Sequence, residues 1–205
     1  VGRAAWIFLS TYFLFEYIVI RETITPYSIL KQPMSDLGVT ACGNDTYVLA
    51  TYEICSPYHP LMNITFTLIG VAIFVGAILL QPLLPKLRRI RIATVLFAIY
   101  GISFAISGII PADISFTAHT ISALPGMVVQ IPALFFIAQS IKFTMPKFYK
   151  WTLFILIVNS STIVLLCLQA FITSLPGGLL QRILYGSIFV WMIVTAIVLQ
   201  MRINK

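Results

Sequence analysis

At 205 residues the chain is long enough for one soluble domain or two small ones, yet 60% of it is hydrophobic and only 9% charged. The apolar residues come in long runs instead of a 3.6-residue stripe, which excludes a water-soluble fold. The net charge of +7 would suggest nucleic acid in a soluble protein; here Lys and Arg concentrate in short connections, so a membrane topology accounts for them and no nucleic-acid partner is expected.

Runs of about 20 apolar residues match a hydrocarbon core of ~30 Å at ~1.5 Å rise per residue. Only helices and closed barrels satisfy their backbone in lipid, and a barrel would show short alternating strands. The expected fold class is therefore all-α, a polytopic bundle of six transmembrane helices. The first span is Ala4 to Ile20, read as a retained helix because no small-residue cleavage site follows it. A long polar loop separates it from the second span, Pro60 to Leu84, after which Lys86, Arg88, Arg89 and Arg91 form a basic connection. The third span, Ile92 to Ile110, carries Gly101, Ser103, Ser107 and Gly108, small residues that permit close helix approach. The short segment Pro111 to His119 leads to the fourth span, Thr120 to Ile141, where Pro125 and Pro132 favour a kink. Lys142, Lys147 and Lys150 mark the next connection, before the fifth span, Trp151 to Thr173. Pro176, Gly177 and Gly178 break helix ahead of the sixth, Ile183 to Met201, which ends in Arg202 and Lys205.

With the N-terminus inside, ten Lys/Arg (Arg3, the four after span two, the three after span four, Arg202 and Lys205) are cytoplasmic and only Arg21, Lys31 and Arg182 are outside. That bias predicts cytoplasmic termini and a multi-pass protein of the cell membrane. Glu22, Asp36, Asp45, Glu53, Asp113 and both histidines then fall on the outer face, most of them in the loop from Arg21 to Asn63.

In that loop Cys42 and Cys55 are separated by twelve residues. Outside the cytoplasm a disulfide is the natural expectation, against two free thiols, and closing such a ring would contribute about 3 kcal/mol in the chain-entropy account. Cys167, in mid-span, reads as a small packed residue. His59 and Asn63 share one helical face at the mouth of span two, while Asp113 and His119 flank the mouth of span four. Convergence of these mouths would give a polar pocket at the outer interface. His59, Asp113 and His119 could then hold a zinc-type ion that activates water against a lipid ester or amide, with Ser35 and Asp36 as catalytic candidates. Alternatively, His59 and His119 could be the axial ligands of a non-covalent haem. The plainer alternative is that both histidines cap helix ends or bond loop carbonyls.

Glu16 is the one acid inside a span; Arg21 or Arg182 could pair with it, or it could simply reach the interface. It is counted with Asn63 and Arg182 as a candidate pocket residue. Gln130 and Asn159 lie deeper, where inter-helix hydrogen bonds are the plain reading and a polar translocation path the alternative. Asn44-Asp45-Thr46 and Asn63-Ile64-Thr65 fit the N-glycosylation pattern.

The run Pro26-Tyr27-Ser28, then Pro33-Met34-Ser35-Asp36-Leu37-Gly38, then His59-Pro60-Leu61-Met62-Asn63 entering a helix, resembles the domain-of-unknown-function 998 family of six-helix membrane proteins. Pro111-x-Asp113 followed by His119 fits the same pattern. The resemblance covers nearly the whole chain and implies six helices, but no activity. A fainter similarity is to membrane hydrolases related to alkaline ceramidases, which use a Ser, an Asp and three His around zinc. This chain offers two His and no late H-x-x-x-H, so the likeness is one of chemistry. The expectation is one six-helix domain over residues 1–205 with a structured loop at about 21–60. Its leading function is non-catalytic: binding of a lipid or cofactor, or service as an accessory subunit beside a membrane-protein partner. A metal-dependent hydrolase or transferase on a lipid-like substrate is the alternative, and a haem electron carrier the third.

Overall fold

The computed structural model describes residues 1–169 and 171–203; Lys205, counted above among the cytoplasmic cations, lies outside them. Among the described residues seven α-helices make up the bundle: α1 (Gly2–Phe8), α2 (Thr11–Arg21), α3 (His59–Leu80), α4 (Arg88–Ile109), α5 (Phe116–Ile141), α6 (Pro146–Leu168) and α7 (Gly177–Ile203). α1 and α2 form one span interrupted at Leu9 and Ser10, where i→i−3 bonds tighten the chain and Thr11 Oγ1 donates to the Phe8 carbonyl at 2.8 Å. Among the described residues the helices long and apolar enough to cross a membrane are therefore six, as expected. Among the described residues there is no strand; one isolated antiparallel bridge joins Gly43 and Ile54.

Each span packs mainly on its neighbours in sequence, and the first closes the ring against both α3 and α7. Short connections thus make an up-and-down bundle. The closest approach is between α3 and α4. A Cβ on Gly70 would lie 2.3 Å from the Ala105 nitrogen, and one on Gly101 would lie 2.6 Å from the Gly70 oxygen. With lipid tails as apolar as the side chains, such close packing has to supply what hydrophobic exclusion supplies in water. The middle of the ring is filled with aromatics. Trp191 of α7 stacks on Phe97 of α4 with centroids 5.4 Å apart and lies 6.0 Å from both Trp6 and Phe148. Its indole N–H donates to Thr152 Oγ1 at 3.0 Å, whereas the Tyr100 hydroxyl of α4 is buried without a hydrogen-bond partner among the described residues.

Several boundaries differ from the sequence reading. α6 runs from Pro146 to Leu168, five residues earlier at each end than expected, so Lys147 and Lys150 lie in its first turns and not in a connection. α4 opens at Arg88, so Arg88, Arg89 and Arg91 form its first turn instead of a free loop. α5 opens at Phe116, because the Ser115 side chain caps Ala118 N–H at 3.4 Å; His119 thereby becomes a helical residue. α7 opens at Gly177, directly after Pro176, and Arg182 is inside the helix. The pair Gly177-Gly178 starts this helix because the segment across it needs the room: a Cβ on Gly178 would lie 2.3 Å from the Gln32 carbonyl oxygen. α5 stays helical through Pro125 and Pro132. The Ser103 hydroxyl of α4 takes part in repairing its ladder, donating to the Ser122 carbonyl and accepting from Gly126 N–H at 2.9 Å.

Candidate functional site

The 22–58 segment is folded down on one end of the bundle. Its Met34–Gly38 part is a 3₁₀ turn whose Met34, Asp36, Leu37 and Gly38 are buried. Arg182 fixes this turn from α7. One guanidinium nitrogen donates to the carbonyls of Ile29 at 3.1 Å, Gln32 at 2.9 Å and Gly178 at 3.0 Å, and another to Tyr27 Oη at 2.5 Å. Its Nε lies 3.0 Å from Glu16 Oε1, with both side chains 12% exposed. The five-donor fork suits one cation serving a loop and a second helix at once. Next to it, Gln181 Oε1 accepts from Met34 N–H at 2.7 Å and Leu179 N–H donates to the Leu30 carbonyl at 3.2 Å. Glu16 is thus ion-paired with Arg182, the second of its two candidate partners.

Asp36 is fully buried and does not open to solvent. Tyr47 donates to its Oδ1 and Tyr52 to its Oδ2 at 2.7 Å. Burial pushes the Asp36 carboxyl above the usual carboxylate range, opposed by these two hydroxyl donors. Burial and the neighbouring carboxyl push both tyrosines upward, so they remain donors. The loop beyond is closed by the Cys42–Cys55 disulfide, with the backbone of Gly43 and Ile54 exchanging two 2.9 Å bonds beside it. Val39, Tyr47, Ala50 and Ile54 form a small core over Ala112 and Phe116, separate from the aromatic centre.

The expected pocket residues do not gather at one point. His59 Nδ1 meets the Ser56 carbonyl at 2.9 Å, and Asn63 donates its amide to the Gly38 carbonyl at 2.8 Å. Gly38 is glycine for this contact, since a Cβ there would lie 2.3 Å from Asn63 Oδ1. Asp113 Oδ2 accepts from Thr40 N–H at 2.9 Å, Thr40 Oγ1 at 2.6 Å and Ala41 N–H at 3.1 Å. His119 Nδ1 meets the Ile110 carbonyl at 2.7 Å, satisfying the end of α4. A carbonyl only accepts, so Nδ1 carries the hydrogen in both rings. Among the described residues no three His, Cys, Asp or Glu side chains form a metal-binding group. His59, Asp113 and His119, the three expected zinc ligands, are therefore not gathered into one such group among the described residues.

What the fold does create is a cavity of about 450 Å³ between α5, the turn from α6 to α7, and the loop. Along α5 it is lined by Phe116, His119, Thr120, Ala123, Leu124 and Met127, the i, i+3, i+4 face of about three turns. That run reaches roughly 16 Å down the helix at ~1.5 Å per residue, half the depth of a bilayer core. Leu166 and Gln169 close one side, Gly177 and Gln181 another, and Ser35, Tyr47 and Tyr52 come from the loop. A narrow extension continues beneath Ser35 and His119 to Phe104, Ser107 and Tyr185. Ser35 and His119 are thus the two expected site residues that share a cavity. His59 is not in its wall, so the two histidines do not face a common space as haem ligands would. Tyr47, Tyr52 and Gln181 escaped the sequence reading. The available signal was tyrosines in a polar loop, whose hydroxyls need partners once their rings are buried. Glu16, Asn63 and Arg182 brace the surroundings without lining the cavity.

Neither a curated protein nor a solved structure matches the chain. A family model described as a protein of unknown function matches it from residue 12 to residue 198, which spans the Arg182 clamp, the disulfide loop and all six membrane-crossing helices in whole or in part. The chain belongs to the DUF998 family of proteins of unknown function.

Proposed function

We propose that the protein holds a lipid-like amphiphile in the cavity under its loop, and that this end of the bundle faces away from the cytoplasm. The orientation rests on charge: Lys86, Arg88, Arg89, Arg91, Lys142, Lys147 and Lys150 all lie at or near the opposite helix ends. A disulfide at the loop end fits a non-reducing compartment. The observation that carries the binding role is the cavity, which has the size of a small-molecule site, a polar rim and an apolar floor. Binding accounts better than catalysis for the carboxylates, since Asp36 and Asp113 are both engaged in holding loop structure. The helices, loop and cavity act as a single domain in this reading.

The test is native mass spectrometry of the protein extracted in mild detergent. Wild type retains phospholipid; Ala123→Trp, which fills the cavity from α5, loses it, and so does Leu124→Asp, which makes the floor polar. Retention unchanged in both variants overturns the proposal. A catalytic reading keeps one specific support, because Ser35 and His119 line the same space. It predicts lyso-lipid and fatty acid in the extract, both lost in Ser35→Ala.

A further inference from the structure

We propose that the occupant is a phospholipid of net negative charge, its head at Lys31 and its acyl chain along Leu124, Met127 and Leu166. This rests on the cavity being a lipid site and adds what it selects. Lys31 is exposed at the rim and, among the described residues lining the cavity, is the one with a formal charge. Its ammonium has no partner among the described residues, whereas the nearby Arg182 guanidinium is bonded to carbonyls and ion-paired with Glu16. Two of the other groups lining the cavity, Gln181 and Ser35, have hydrogens to give. The Gln181 oxygen is taken by Met34 N–H, which leaves its NH₂ as donor, and the Ser35 hydroxyl has no partner among the described residues. Donors without matching acceptors, beside an unpaired cation, suit a phosphate.

The acid that would repel such a head is shielded. Asp36 is fully buried and not part of the cavity wall, while Tyr47 and Tyr52, which spend their hydroxyl hydrogens on it, are. A zwitterionic head brings its own cation to the Lys31 side and loses part of the attraction that an anionic head keeps.

The experiment is a competition in detergent between equimolar phosphatidylglycerol and phosphatidylcholine with the same chains, counted by native mass spectrometry. Wild type should retain the anionic lipid over the zwitterionic one by about fivefold, the most that one solvent-accessible ion pair supplies. Lys31→Glu should abolish or reverse that preference while total lipid bound persists, and Lys31→Ala should fall between; because Lys31 is exposed, neither change disturbs packing. Equal retention by wild type, or a preference unchanged in Lys31→Glu, overturns the inference and leaves the lipid site intact. If wild type binds neither lipid, the cavity reading itself fails. Glycerol phosphate in excess should not displace the lipid. Displacement would mean a site for the head alone and would overturn the two-part occupant.

Discussion

The centre of the bundle and its loop end are held together by opposite means. Around Trp191 the contacts are ring on ring, and α1, α4, α6 and α7 each contribute one aromatic. Around Arg182 the contacts are donor on carbonyl, and a single side chain ties α2, α7 and the 27–33 segment together. In the centre many small interchangeable gains add up, so single losses are diluted. At the loop end a few polar groups carry most of the structure, and each one left unpaired at low dielectric is costly. The part of the molecule that walls the cavity is therefore the part most sensitive to single substitutions.

The sharpest way to break that contrast is Arg182→Ala. It strands Glu16 and the loop carbonyls of Ile29 and Gln32, and loss of one partner from a buried pair costs about 3–5 kcal/mol. Hydrogen exchange should speed up across residues 27–34 while amides around Trp191 stay protected; equal loosening of both regions would erase the distinction. A smaller effect is expected from replacing Cys42 and Cys55 by Ser together. Opening that ring should cost about 3 kcal/mol, felt within residues 42–55 and read by the same exchange experiment. Because the Arg182 bonds lie outside the ring, the 27–34 segment should keep its protection.

The smallest expected effect is one of pH. Burial raises the Asp36 carboxyl, so the folded chain keeps this proton where the unfolded chain has already lost it. Its contribution is most favourable below the ordinary carboxylate range and declines as pH rises from about 4 to the folded value, above which it is constant. Thermal midpoints of wild type should fall across that window, and Asp36→Asn should lack this component while other carboxylates still titrate. A wild-type profile matched point for point by Asp36→Asn would remove Asp36 from the pH response.

The spans were legible because lipid demands long apolar runs, and no tertiary detail is needed to see them. The disulfide was legible from two cysteines sharing one polar loop. Helix starts were harder: Ser115 caps α5 five residues before Thr120, the first residue assigned to it, and Gly177-Gly178 reads as a breaker until the chain crossing it is known. The candidate site was half legible. Ser35 and His119 do reach one cavity, but His59, Asn63 and Asp113 are consumed by backbone partners, and the spacing of residues does not reveal which polar group finds a carbonyl first. Glu16 shows the reverse case. A lone acid in a span needed a partner, and the choice between Arg21 and Arg182 depended on α7 starting six residues earlier than its apolar run suggests.

That the loop forms the cavity wall, and does not merely cover the bundle, is tested most directly by counting the phospholipids retained by Arg182→Ala beside wild type in the same detergent. Releasing the 27–34 segment should lower retention at least tenfold while the six helices keep their far-ultraviolet circular dichroism. Retention at the wild-type level, with the segment shown to be released by hydrogen exchange, would contradict the account.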